Sequence, residues 1–267
     1  MDLEPHVDPK LLALAGETAQ ALNAAHYEEA LKKGHQALAA LELDATDEVE
    51  VMNSKLERMP PALLKSAGDV LTALAISSFR SGDYLNSLRF SQFEHQVRRH
   101  AGDELGAANA LVGLGWCYQT LGLYQQALSS SFSALAMLEH LRPESVAGPL
   151  NGIARVYLDL GQTKKALAYA RRALDASVVS PQAQRDRSTA LRIIGQAHHA
   201  RGALAAAEAA YLECDRTSDE YGRALALLSL AEVYVQLERY DEAVERYQEC
   251  IQILSPQMRE MVLCEAM

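Results

Sequence analysis

The chain has 267 residues, is dominated by alanine and leucine, holds 15 glycines and 8 prolines, and is 6% aromatic. That profile favours helices throughout and excludes a β-sandwich or barrel. Twenty-five Lys and Arg stand against 35 Asp and Glu, a net charge of −10, which repels phosphate backbones and excludes general nucleic-acid binding.

In chain order, one pattern returns: a small residue, an aromatic or apolar anchor two positions later, and a small residue three beyond that. It reads Tyr27-x-x-Ala30, Gly82-x-Tyr84-x-x-Ser87, Gly122-x-Tyr124-x-x-Ala127, Gly161-x-Thr163-x-x-Ala166, Gly202-x-Leu204-x-x-Ala207 and Glu238-x-Tyr240-x-x-Ala243. Successive anchors are 57, 40, 39, 41 and 36 residues apart. A near-constant period of this size marks stacked repeats, each unit packing on its neighbours.

The third repeat shows the physics of one unit. Leu111, Leu114, Gly115 and Tyr118 share one face of a leading helix. Gly115, mid-helix, is expected to admit close approach of a partner helix, since glycine there costs about 1 kcal/mol relative to alanine. Gly122 ends the helix with a left-handed residue, and Tyr124 opens a second helix with Ala127, Ser131 and Ala134 as its small-residue stripe. The fourth repeat matches with Leu150, Ile153, Ala154, Tyr157 and Gly161, the fifth with Leu191, Ile194, Gly195, His198 and Gly202, and the sixth with Leu227, Leu230, Ala231 and Tyr234. The second is legible in Leu71, Leu74, Ala75 and Gly82, whereas the first is clear only from Tyr27 through Ala37.

On these residues the chain resembles the tetratricopeptide repeat family, whose units join a Leu-Gly-x-x-Tyr helix to Gly-x-Tyr-x-x-Ala. The resemblance spans about residues 10–254. The period is near 40 rather than the usual 34, and the family's tryptophan is replaced by leucine at Leu111. This long-period form is similar to a bacterial sensor and regulator subset. The resemblance implies an all-α, right-handed superhelical solenoid of six helix hairpins in one domain over residues 1–267, with repeats at 11–43, 68–100, 108–141, 147–178, 188–219 and 224–254. An acidic insert at 44–62 ends in Pro60-Pro61, a helix-start signal, and is either an extra short helix or an arm. Residues 256–267 read as a capping helix or the start of a further repeat in a longer protein.

In such a superhelix the leading helices line the concave face. Positions beside the buried stripe give a central row of Ile76, Trp116, Arg155, Gln196 and Glu232. The row before it reads Thr72, Val112, Asn151, Arg192 and Leu228; the row after it reads Phe79, Gln119, Leu158, His199 and Val235. Candidate peptide-binding residues are Trp116, Gln119, Asn151, Arg155, Arg192, Gln196 and His199 from these rows, and Asn109 beside them. An asparagine amide can clamp a peptide bond, and a guanidinium can hold a carboxylate in a fork. Arg192 and Glu232 are alternatively expected to pair with each other, and Trp116 to wedge between repeats.

Charge is segregated: eight basic against three acidic residues from Arg155 to Arg192, then eleven acidic against four basic from Glu208 to Glu249. The expected partner is a peptide or protein segment, an acidic or carboxylate-bearing one favoured. Homodimerisation through the terminal helix or the insert is a rival.

No chemistry-bearing motif intervenes. Gly113-Leu-Gly115 lacks the last glycine of a dinucleotide loop. The sequence holds no Cys-x-x-Cys, His-Glu-x-x-His or Gly-x-Ser-x-Gly. Cys117, Cys214, Cys250 and Cys264 read as small apolar residues rather than disulfide halves. Neither catalysis, metal nor cofactor is expected. Met1–Lys10 lacks a signal-peptide pattern, and no apolar run approaches the roughly 20 residues that span a bilayer, so a cytoplasmic location and no membrane partner are expected.

Overall fold

The computed structural model describes residues 9–44, 49–178, 180, 183–217 and 220–254. All regular structure among them is helical. In chain order the helices are α1 (Pro9–Asn23), α2 (Tyr27–Ala40), α3 (Val49–Glu57), α4 (Pro61–Arg80), α5 (Tyr84–His100), α6 (Glu104–Thr120), α7 (Tyr124–Leu141), α8 (Ala147–Asp159), α9 (Thr163–Ser177), α10 (Ala183–His199), α11 (Leu204–Thr217), α12 (Glu220–Gln236) and α13 (Tyr240–Ile253). Each predicted anchor except Thr163 and Leu204 is a tyrosine, and each of the six opens the second helix of a hairpin. The leading helices α4, α6, α10 and α12 start four to seven residues upstream of the repeat boundaries read from sequence. In α4 and α6 these first turns extend the buried stripe upstream, with Leu64, Ala67 and Ala107 buried.

The turns share one backbone device. The residue two before each anchor has positive φ: Gly82 (78°), Gly122 (73°), Gly161 (70°) and Gly202 (71°), but also Ala25 (56°) and Glu238 (59°). Leading helices can therefore end by a left-handed step even where no glycine relieves it.

By packing, the chain divides into two compact bodies, Met1–Gln126 and Ala127–Met267. In the amino-terminal body, Leu38, Leu41, Leu43, Leu64, Leu71, Leu74, Phe90, Phe93 and Val97 form one core. The insert contributes to it: α3 is a short extra helix whose Met52 and Leu56 are buried in that core. Pro61 is the first residue of α4, as the proline pair predicts. By length and composition α4 could cross a membrane, which corrects the sequence-based statement that no run approaches that length. Its Leu64, Val70, Leu71 and Leu74 are nevertheless buried within the protein core.

The same body contains an ionic cluster centred on the buried Arg98 and Glu94. The Arg98 guanidinium lies between Asp69 (2.8 Å) and Asp103 (3.0 Å), with Thr72 at 3.3 Å and Glu94 at 3.9 Å. A Cβ on Gly68 would fall 2.6 Å from Arg98 Nε, so α4 admits the guanidinium only because it is bare at that point. Glu94 is 6% exposed, and burial raises its pKa to about 7 despite the Thr72 hydroxyl and Arg98.

The carboxy-terminal body has a chain of small cores in place of one large core. Leu135, Leu150, Ile153, Ala173 and Ala190 form one. Leu167, Ala170, Ile193, Ile194 and Ala197 form the next, and Ala207, Tyr211, Leu230, Val233, Tyr234 and Ala243 follow. Each cluster joins one hairpin to the next, as expected when every repeat buries its apolar face on its neighbour.

Candidate functional site

In the carboxy-terminal body, a cleft of about 290 Å³ opens among α10, α11 and α12. It is lined by Gln196 and His199 on α10, Ala200 just past its end, Ser229, Glu232 and Gln236 on α12, and Tyr211 between them. Tyr211 is 1% exposed and reaches this position because α10 carries Gly195: a Cβ there would meet the ring at 2.4 Å. Burial raises the Tyr211 pKa, and Glu232 raises it further, while a Ser229 hydrogen bond, Arg192 and Arg155 oppose the shift. The phenol therefore stays neutral, with the charges of both arginines and of Glu232 reaching it.

Two polar atoms of cleft-lining residues are buried without a hydrogen-bond partner, Gln196 Oε1 and His199 Nε2. A buried orphan of this kind carries a desolvation penalty of about 1–3 kcal/mol until something bonds it. The offset rule thus brings Gln196, His199 and Glu232 together on one cleft, with half-buried Arg155 and Arg192 acting on its tyrosine.

Asn151 is placed otherwise. Its side chain is 1% exposed, and Nδ2 donates to the Asp186 carbonyl at 3.0 Å, tying α8 to the start of α10. The expectation that it faces the groove is corrected: α8 is buried on nearly every side from Pro149 to Ala154, and the Asn151 amide donor is committed to the backbone. Asn109 (exposed) and Trp116 and Gln119 (both half-buried) lie on α6 in the amino-terminal body. Ser229, Gln236 and Tyr211 lie outside the three predicted rows. Tyr211 belongs to a second helix and enters only because Gly195 leaves space, a dependence that helical periodicity does not encode.

Much of the segregated charge is neutralised locally. Arg239 pairs with Glu208 at 2.9 Å and with Glu242, Arg223 with Asp215 at 2.7 Å, and Arg187 with Glu213. Cys117, Cys214 and Cys250 are buried thiols, whereas Cys264 lies outside the described residues.

Three tetratricopeptide repeat family models match residues 66–140, 147–177 and 226–260, the hairpins of α4 to α9 and of α12 and α13. The chain belongs to the tetratricopeptide repeat family. Solved structures share the fold of this tetratricopeptide repeat protein at low identity. A Rap protein complexed with Competence and Sporulation Factor aligns at TM-score 0.68 and 15% identity, over 96% of this chain and 79% of that one. NprR in complex with its cognate peptide NprX aligns at 0.64 and 12%, over 97% and 83%. The Rap conjugation gene regulator of plasmid pLS20, in complex with the Phr* peptide, aligns at 0.64 and 14%, over 92% and 74%. No curated protein matches the chain in sequence.

Proposed function

We propose that this tetratricopeptide repeat protein is a non-catalytic scaffold that binds a peptide or an extended protein segment along its leading helices. The observation that carries the reading is the cleft itself. Predicted groove residues from two successive leading helices converge there, and two of them hold buried polar atoms without partners. Those side chains are fixed on packed helices, so little ordering is required when a ligand docks. Arg155, Arg192, Gln196 and His199 are the proposed contacts, with Arg155 and Arg192 receiving a ligand carboxylate. Asn109, Trp116 and Gln119 on α6 offer further contacts in the amino-terminal body.

A regulatory role is the second reading. It is favoured by the shared fold with NprR and with the Rap conjugation gene regulator of pLS20, whose structures are complexes with peptides. In that case ligand binding would bias helix packing that a partner or effector reads.

Thermal denaturation in the presence of a random-peptide pool tests the proposal. Stabilisation of the wild type that disappears in the Arg155→Ala/Arg192→Ala double variant is the expected result. A pool that leaves the transition of both proteins unmoved would sink it.

A further inference from the structure

The cleft also defines the chemistry of one ligand group. We infer that Gln196, His199 and Glu232 form a subsite for a primary ammonium, supplied by a peptide's amino terminus or by a lysine side chain. This rests on the peptide-binding reading above and adds a specificity to it.

The acceptors come first. Gln196 Oε1 and His199 Nε2 are buried and unpartnered, on residues three apart on α10, so both project to the same side of the helix. Across from them, on α12, stands the exposed Glu232 carboxylate. Gln196 Oε1, the Glu232 carboxylate and His199 Nε2, in the tautomer with the proton on Nδ1, match the three N–H donors of an ammonium.

The sign of the charge comes second. Of the three charged side chains whose fields reach Tyr211, Glu232 alone lines the cleft; Arg155 and Arg192 act from outside its wall. A ligand carboxylate in the cleft would sit against Glu232, while an ammonium there faces a carboxylate.

The volume comes third. About 290 Å³ is below the usual range of drug-sized pockets, roughly 300–1,000 Å³. It suits a single terminal residue or one side chain of a longer peptide.

The test uses the full chain and one peptide selected from the random pool, prepared in three forms: free amino terminus, acetylated terminus with a lysine retained, and acetylated terminus with that lysine replaced by norleucine. Affinities are measured by titration calorimetry on wild type and on Glu232→Gln, a surface substitution that leaves the core untouched. A form carrying an ammonium should bind about tenfold more tightly than the form lacking both, in line with one charge-assisted contact. Glu232→Gln should erase that ratio. If the free terminus alone restores affinity, the source is the amino terminus; if the lysine alone does, it is the side chain. Equal affinity of all three forms would overturn the ammonium subsite while leaving the peptide groove in place. Absence of binding by every form would overturn both.

Discussion

Two single residues show how local backbone demands are met without the usual side chain. Ala25 and Glu238 hold the left-handed turn that glycine holds in the four central hairpins, at φ of 56° and 59°. An L-residue in that region costs roughly 1–2 kcal/mol, partly offset by glycine's greater freedom in the unfolded chain. Glu238→Gly should therefore stabilise the protein by about 0.5–1 kcal/mol, and Ala25→Gly likewise. Urea denaturation monitored by helical circular dichroism checks this, and an unchanged or lowered midpoint for both would show that the turn is unstrained. Gly195 is the opposite case. Alanine there would push its Cβ into the Tyr211 ring at 2.4 Å, and overpacking of this kind costs about 1–3 kcal/mol. Gly195→Ala should lower the unfolding midpoint and, by displacing the wall of the cleft, weaken peptide affinity in the same calorimetric experiment.

At the scale of elements, α4, α5 and α6 are joined through Arg98. Its three carboxylate neighbours come from Asp69 on α4, Glu94 on α5 and Asp103, the residue preceding α6. Glu94 titrates near 7 because burial disfavours its anion. A folded-state pKa above the unfolded value means that the stabilisation is complete below about 4.5 and is lost as pH rises through 7. Glu94→Gln removes that loss. Its stability relative to wild type should rise between pH 5 and pH 8.5, by an amount on the order of 2–3 kcal/mol. Paired denaturation curves across that range measure it, and a pH-independent difference would show that Glu94 is already ionised in the folded protein.

At the scale of the whole molecule, stability depends on how each hairpin is covered by the next. Leu167 on α9 is 5% exposed and packs with Ile193, Ile194 and Ala197 of the following leading helix. Its counterpart two repeats later, Val244 on α13, is 52% exposed, and Ile251 is 58% exposed. Leu167→Ala should cost about 2–5 kcal/mol, whereas Val244→Ala should change stability by less than about 0.5 kcal/mol. Comparable losses for the two substitutions would mean that α13 is covered in solution by something beyond the described residues. The acidic excess of the chain is likewise organised by stacking: Glu208 and Asp215 on α11 meet Arg239 and Arg223 from the next hairpin. Those pairs are partly solvated and contribute modestly.

The sequence by itself determined the helical class, the hairpin register and the turn positions. Those depend on local rules: apolar residues recur at helical spacing, and a chain reversal needs a left-handed residue at a fixed place. The same offsets were enough to place Gln196, His199 and Glu232 on one face. Tertiary structure decided what distances along the chain do not encode. Asn151 obeys the same offset rule, yet it is buried because neighbouring helices enclose this stretch of α8, and its amide bonds the Asp186 carbonyl. Tyr211 enters the cleft from a second helix only through the gap at Gly195. Whether a side chain at a given helical angle meets solvent, a neighbour or a ligand depends on how the adjoining helices are rotated and spaced, and that is fixed by the packing of many side chains at once.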